Sequence, residues 1–572
     1  MGCGQPGIAE FQGNRAFLVG LRSQLGLKKY GSFPLIGRFS SFPRKGIRML
    51  VRKNTKLPVI LASEISADPA ANSANPADPA ASFQHRIDEC RERFRQGPVT
   101  PATTCAFEDE LKAIADEILK GVLEQEFNGL DPAKKSAMPS KMRYQKQTFR
   151  INKKTPAQVS TRFGKITLRS FYYQNNEDGE PGLHPLHLRL GIGAGGATPA
   201  LAQRAAQMAV DHTQSEVRAW LLQEHGVSWT NARLRTVLAD FRRRLLPFVH
   251  EGQKARVLAW LEQAERSRGR NRPVLAAGRD GVMVPMRHGR PYQEASTGTV
   301  SVHDRRNRRL GTVYLGQMPE SKQTTLSQQM THLLHDVLQE YTGPEPRLVY
   351  VTDKGSAQEE YYSKVLRKMP DPKNGKRILP WEWVLDFYHV CCYLGKMADA
   401  LFGTGTKRSR AWYEKMRHWL RHRSSGAANV ERSASQHLAR CQRTMTASRK
   451  EEFRKAYGFV RRNNRWMDYR EYRRCGLPIG SGVTEAACKT VFAQRFKRSG
   501  MRWKAETGQI ILDLRTIYLS GIWKETIARD LATRAIPEPI PAEPFPAVRA
   551  ACGYEKEGSR KRSCGRIKQM AA

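Results

Sequence analysis

Val274-Leu-Ala-Ala-Gly-Arg-Asp280-Gly-Val-Met-Val284 is the stretch on which the fold turns. It reads as a strand with an acid along its length. Two more strand-like runs follow, Ser296-Thr-Gly-Thr-Val-Ser-Val302 and Leu310-Gly-Thr-Val-Tyr-Leu315, with the turn-like Asp304-Arg-Arg-Asn-Arg-Arg309 between them. Hairpin-length connections join the three. Leu326, Met330, Leu333, Leu334, Val337, Leu338 and Tyr341 then recur on one face of a helix. Arg347-Leu-Val-Tyr-Val-Thr-Asp353 is a short strand, too continuously apolar for an exposed edge. A helix over about 357–369 and a fifth strand, Trp381-Glu-Trp-Val-Leu-Asp386, complete the order β-β-β-α-β-α-β.

Outward from this α/β stretch the chain divides by composition. Residues 1–80, rich in Gly, Phe, Arg and Ala-Pro, read as a disordered basic segment, with Met49 an internal candidate start. Residues 81–195 read as helices around 83–96 and 106–127 followed by a small antiparallel sheet within 145–175. Residues 196–250 read as helices. Ser215-Glu-Val-Arg-Ala-Trp-Leu-Leu-Gln-Glu224, the Gly226 turn and a helix capped by Ser228 resemble a helix-turn-helix, whose second helix would present Arg233 and Arg235 to a major groove. An ordinary helical hairpin fits the same residues. The α/β core spans 270–390, a basic all-α insertion 391–475, and the core resumes over 476–530. The Pro-rich and basic tail, 531–572, reads as disordered.

The charge narrows the partner. Lys and Arg total 96 against 54 Asp and Glu in 572 residues, a net of +42, which favours a polyanion through phosphate neutralisation and counterion release. An RNA binder of the ribosomal kind or a membrane-surface protein shares that excess. No apolar run reaches the ~18 residues needed to span a bilayer, so no membrane role is expected. Ten cysteines without a CxxC pair argue against a zinc ribbon, and the basic first 50 residues lack a cleavable apolar signal. Reduced thiols and a cytoplasmic, nucleoid-associated location are expected.

Three acids carry the chemistry. Asp280 lies within the first strand and Asp353 at the end of the fourth, and Glu485 follows the Gly-rich turn Gly480-Ser-Gly-Val-Thr-Glu485 into a helix. Phosphodiester cleavage needs the attacking and leaving oxygens stabilised, and two Mg2+ (or Mn2+) ions ~4 Å apart do this where carboxylates converge. Lys489, four residues on from Glu485, shares its helix face and is within reach of a phosphate. Each acid also has a plain reading: a turn at Asp280-Gly281, a solvated strand end at Asp353, a dipole-favoured first turn at Glu485.

Four motifs together resemble one family. Gly278-Arg-Asp280-Gly-Val-Met-Val-Pro285, Asp386-Phe-Tyr-His389, Pro478-Ile-Gly-Ser-Gly-Val-Thr-Glu485-Ala-Ala-Cys-Lys489 and Arg495-Phe-Lys-Arg-Ser-Gly-Met-Arg-Trp503 are similar to bacterial insertion-sequence transposases of the ISKra group, relatives of the Mutator-like DDE enzymes. The resemblance covers about 145–530 and implies a ribonuclease H-like core interrupted by an α-helical insertion before the final Glu. The element order above is that of such a core. Thr484 and Phe496 stand where Val and Met are expected.

The resemblance implies metal-dependent cleavage at transposon ends and strand transfer into target DNA, by at least a dimer acting on double-stranded terminal repeats. It gives Asp386 and His389 supporting roles, and Asp386 is also a strand-end acid that rivals Asp353. His389 reads equally as a hydrogen-bonded core histidine. Arg495, Lys497, Arg498, Arg502, Trp503 and Lys504 read as a clamp on the DNA end, with cations on phosphates and a base stacked on Trp503; a solvated helix face is the plain alternative. The rivals to a transposase are a nuclease of the same fold that cuts without joining, and a non-catalytic DNA-binding protein.

Overall fold

The computed structural model describes residues 79–175 and 181–541, all of which fall in one compact unit, Pro76–Ala572. The expectations for residues 1–78 and 542–572 lie outside the described residues. The first helix, Pro79–Gln96, leads to Pro101–Gly129, whose N-terminus is fixed by Thr100 in a reciprocal capping box with Thr103. Phe94 and Phe107 stack between these two helices with ring centroids 4.3 Å apart. The expected small sheet follows as β1 (Lys141–Tyr144), β2 (Gln147–Thr161) and β3 (Gly164–Asn175), antiparallel throughout.

The second sheet is mixed and five-stranded. Its strands are β4 (Val274–Pro285), β5 (Tyr292–His303), β6 (Arg309–Gln317), β7 (Arg347–Thr352) and β8 (Glu382–Leu385), in spatial order β6-β5-β4-β7-β8. The short hairpin connections make β4, β5 and β6 antiparallel, whereas helical crossovers make β7 and β8 parallel to β4. The register follows from these pairings. Ala277 lies opposite Tyr350 in the β4–β7 pair, and Thr352 opposite Leu385 in the β7–β8 pair. Carried one to three residues further, that register brings Asp280, Asp353 and Asp386 level with one another at the carboxyl ends of β7 and β8.

The helix Thr324–Glu340 packs its buried face of Leu326, Met330, Leu333, Leu334, Val337 and Leu338 on this sheet, as its periodicity predicts. The insertion is all-α: Phe387–Phe402, Lys407–His422, Gly426–Cys441, Ala447–Asn463 and Tyr469–Arg474. Its buried residues Leu394, Met416, Phe453 and Tyr469 belong to the same hydrophobic cluster as the sheet, so it shares that core. The Tyr469 hydroxyl donates to the Leu385 carbonyl at 3.0 Å, fastening the block to β8.

Two expectations need correction. The 196–250 region is not a pair of short helices ending at 250. Gln214–His225 and the Gly226 turn are present, but the following helix is capped by Thr230 rather than Ser228 and runs 35 residues, Asn231–Glu265, through Pro247. It buries Leu234, Val237, Leu238 and Phe241 in one cluster and Val257, Leu261 and Ala264 in the other. Burial at both ends keeps it helical across Pro247, which removes one helical hydrogen bond. The expected tail also starts too early: Trp523–Thr533 is helical, and β9 (Glu538–Pro539) adds to the edge of β1. Pro539 is tolerated there because an edge strand leaves room for a missing N–H.

Leu333, fully buried between helix and sheet, tests this packing. Leu333→Ala is expected to lower unfolding stability by about 2–5 kcal/mol, with an unchanged denaturant slope in urea titration. A loss below about 1 kcal/mol would place the helix outside the main core.

Candidate functional site

Asp280, Asp353 and Glu485 line one cleft of about 380 Å³, together with Arg279, Tyr388, His389, Cys392, Ser481 and Thr484. The acids come from three distant segments, and a different device sets each.

Asp280 belongs to the part of β4 that extends beyond its pairing with β7. Its carboxylate accepts from the Gly281 N–H at 2.7 Å and from the Cys488 thiol at 3.2 Å. Burial raises its pKa, and the negative charges of Asp353 and Glu485 push it the same way; the two hydrogen bonds oppose the rise. The Cys488 thiol is itself pushed up to about 12 by burial and by Asp280, so it remains a donor.

Asp353 follows β7, and its Oδ1 is buried with no hydrogen-bond partner. The next residue, Lys354, has φ +70°, a left-handed conformation that costs a non-glycine residue about 1 kcal/mol or more. The Lys354 ammonium is held at 3.0 Å from Glu359 and lies over the Trp466 ring. Strain in the backbone beside an orphaned carboxylate oxygen is a pattern of functional sites.

Glu485 is placed by the Gly480-Ser-Gly482 turn. The helix Gly482–Ala487 starts there and lies on β4 and β5, where Thr484 Oγ1 meets Thr299 Oγ1 of β5 at 2.9 Å. A Cβ at Gly278 would fall 2.1 Å from Thr484 Oγ1, so glycine permits the approach. The hydroxyl partner Thr299 also accounts for a threonine at 484 where the resemblance expects valine. A wide π turn, Cys488–Ala493, follows at once, a feature frequent at functional sites.

Asp386 is level with Asp353 but faces elsewhere. It is buried, caps the helix Phe387–Phe402 through the His389 N–H at 2.8 Å, and accepts from the Ser481 N–H at 2.5 Å and from the Ser481 hydroxyl. The same hydroxyl lies 2.7 Å from Glu485 Oε1. One hydroxyl has one proton, so Ser481 serves one of the two carboxylates at a time. Asp386 therefore positions the Glu485 turn from behind, while Asp280, Asp353 and Glu485 face the cleft. His389 lines the cleft half-buried, its ring edge-on to Tyr393.

The expected clamp divides in two. Lys489, Lys497, Arg498, Arg502 and Lys504 are exposed, with Arg498 paired to Glu216 at 3.1 Å. Arg495 is buried and donates to the Ala209 carbonyl at 3.2 Å; with Arg515, which reaches the Val210 carbonyl at 2.7 Å, it closes the C-terminus of the helix Pro199–Asp211. Burial, reinforced by Arg498 and Arg515, pulls Arg495 down to about 10. Trp503 is half-buried: its Nε1 donates to the Phe496 carbonyl at 3.1 Å, its ring lies beside Phe496 and Arg495, and its backbone bridges to Met286. Arg495 is thus withdrawn from the surface, whereas Trp503 keeps part of its ring exposed. Arg233 is likewise turned inward, donating to the Gly195 carbonyl at 2.7 Å, whereas Arg235 is exposed.

Sequence reading missed Ser481, Cys488 and Arg279. The first two stand inside the quoted Gly-Ser-Gly to Lys489 motif, but their roles depend on residues nearly a hundred or more positions away. Arg279 is buried, bonded to Ser327 and Gln323 and stacked over Tyr361, and it ties β4 to the helix Thr324–Glu340. Comparison with known protein families gives no match, and comparison with curated proteins gives none either.

Asp280, Asp353 and Glu485 are the residues of this cleft that could hold a hard divalent cation. Asp353 and Glu485 both repel Asp280, one Asp353 oxygen is buried and unpartnered, and the terminal nitrogens of Arg279 are bonded to Ser327 and Gln323. In metal-free buffer at neutral pH, Asp280→Asn is therefore expected to raise the urea midpoint by relieving that repulsion. Added Mg2+ should raise the wild-type midpoint and leave the variant's nearly unchanged. A wild type indifferent to Mg2+ and more stable than the variant without it would contradict the assignment.

Proposed function

We propose that this chain is a DDE transposase, cleaving DNA at transposon ends and joining the freed ends to target DNA. The observation that carries the reading is the convergence of Asp280, Asp353 and Glu485 on one cleft with a buried, unpartnered carboxylate oxygen. The spatial strand order β6-β5-β4-β7-β8, antiparallel then parallel, supports a ribonuclease H-like core, as do the acids on the central strand and at the end of its parallel neighbour. An all-α block between β8 and the Glu485 helix agrees with the insertion that the ISKra resemblance implies.

Asp280, Asp353 and Glu485 would hold two Mg2+ or Mn2+ ions, which when bound activate the attacking oxygen and stabilise the leaving one. The chain's own residues do the rest. Ser481, fixed by Asp386, sets the Glu485 carboxylate; Cys488 and the Gly281 N–H hold the Asp280 carboxylate in place. Exposed Lys489, Lys497, Arg498, Arg502 and Lys504 surround the acid helix and suit phosphate neutralisation along a duplex. The net charge of +42 agrees with the same partner. No helix among the described residues is long and apolar enough to cross a membrane, and action on DNA in the cytoplasm, as a dimer or larger synaptic assembly, completes the proposal.

The test uses labelled DNA ending in the repeats that flank the gene, with a target plasmid and Mg2+. Cleaved and joined products are expected from the wild type; cleavage alone would favour a nuclease, and neither would favour a DNA-binding protein. Asp280→Ala, Asp353→Ala and Glu485→Ala should reduce both products to background and keep duplex binding. Asp386→Ala should instead lower stability by about 1–3 kcal/mol, because it strands two buried N–H donors.

The cations separate by a salt titration. Lys497→Ala and Arg502→Ala should weaken duplex binding regardless of sequence and each reduce the salt slope by about 1. Arg495→Met should leave the slope unchanged and lower the unfolding midpoint, since its guanidinium serves backbone carbonyls. An Arg495 variant with a reduced slope and undiminished stability would return that residue to the clamp.

A further inference from the structure

His250, His332 and Asp336 form a second cluster, and none of them lines the acid cleft. His332 and Asp336 are one turn apart on the helix Thr324–Glu340, and His250 reaches them from the long helix Asn231–Glu265. His250 Nε2 lies 2.7 Å and His332 Nε2 3.1 Å from the same oxygen, Asp336 Oδ2. The two imidazoles stack with centroids 4.2 Å apart and planes inclined by 18°. One ligand atom from each of the three residues lies within 4.8 Å of the others.

An ordinary ion-pair cluster explains this poorly. Asp336 Oδ2 can accept from both rings, but two protonated rings stacked face to face repel each other. With neutral rings the Nε2–H groups reach Asp336 Oδ2 at hydrogen-bond distance, and a cation that replaced those two protons would gain two nitrogen donors and one oxygen donor. The surroundings match such a site. His335 Nδ1 lies 2.9 Å from Asp336 Oδ1, fixing the carboxylate from its far side as outer partners of metal ligands do. Both helices are anchored by fully buried residues, Met330, Leu333 and Leu334 on one and Val257 and Leu261 on the other, so the ligands are held without a mobile loop. A cleft of about 200 Å³ lined by His250, His332, Gln253, Gln329 and Asp513 adjoins the cluster and leaves room for water in the remaining coordination positions.

We propose that His250, His332 and Asp336 form a second metal site, selective for an imidazole-preferring divalent cation of the Zn2+ or Ni2+ class, and separate from the all-oxygen acid cleft. Donor type sets the selectivity: imidazole nitrogen favours these ions, whereas carboxylates alone favour Mg2+ and Mn2+. Such an ion would cross-link the helix Thr324–Glu340, whose first turn holds Arg279 through Ser327, to the long helix Asn231–Glu265. The proposal stands apart from the transposase reading and survives its failure.

The test titrates the untagged, metal-stripped full chain with Zn2+ by calorimetry, and with Co2+ by the visible absorption of imidazole-ligated cobalt. His332 is exposed, so His332→Ala removes a ligand without opening the core. Asp353→Asn controls for the acid cleft. The wild type and Asp353→Asn are expected to bind one Zn2+ with equal affinity, with the cobalt band present in both; His332→Ala should bind at least about tenfold more weakly and lose the band. Equal Zn2+ binding by the wild type and His332→Ala, or binding abolished by Asp353→Asn instead, would overturn the site.

Discussion

The parallel pairing of β4 with β7 is the constraint on which the candidate site rests. Parallel strands hold a fixed register, and here that register sets Ala277 beside Tyr350, which brings Asp280 level with Asp353 three residues later. Beyond Ala277 the β4 strand keeps only its antiparallel partner, so the edge facing β7 opens where the acids emerge. A slip of one residue would turn one aspartate to the opposite face of the sheet. The helix Thr324–Glu340 guards against that slip, since its apolar face fits the side chains of one sheet face in one register only.

The third acid depends on a longer chain of contacts. Glu485 is separated from β8 by the whole α-helical block, yet it returns to the sheet because Asp386 grips the Ser481 backbone and hydroxyl. Asp386 is also the N-cap of the block's first helix, so one buried carboxylate fixes both where the block begins and where the chain comes back. The price is an acid withdrawn from the cleft. Thr484 then meets Thr299 on β5, which sets the height of the Glu485 helix above the sheet, and Gly278 on β4 leaves the room.

The basic composition serves two ends. Exposed cations near Glu485 suit the polyanion proposed as partner, while Arg495 and Arg515 are buried at the C-terminus of the helix Pro199–Asp211, where carbonyls and the helix dipole welcome positive charge. Nothing in the run Arg495-Phe-Lys-Arg-Ser-Gly-Met-Arg-Trp503 marks which of its cations turns inward. Side chains one apart on a helix differ by about 100° in direction, and only the packing of a distant helix decides which of those directions is solvent.

Element order and type were legible in the chain itself, because apolar periodicity and hairpin-length links are local properties: β4 to β8, the helix between β6 and β7 and the all-α block all lie where the patterning predicts. The acids at 280, 353 and 485, which meet in one cleft, stood out for the same reason, as carboxylates within a strand, at a strand end and at a helix start. Local reading preferred Asp353 and kept Asp386 as its rival, for both end parallel strands in the same register. What separates them in the fold is Ser481, nearly a hundred residues on, which bonds to Asp386 while Asp353 lines the cleft with an oxygen unpaired. The long helix through Pro247, the β9 edge strand and the inward turn of Arg495, Trp503 and Arg233 were likewise tertiary decisions, since in each the burial energy supplied by distant residues outweighs what the local sequence prefers.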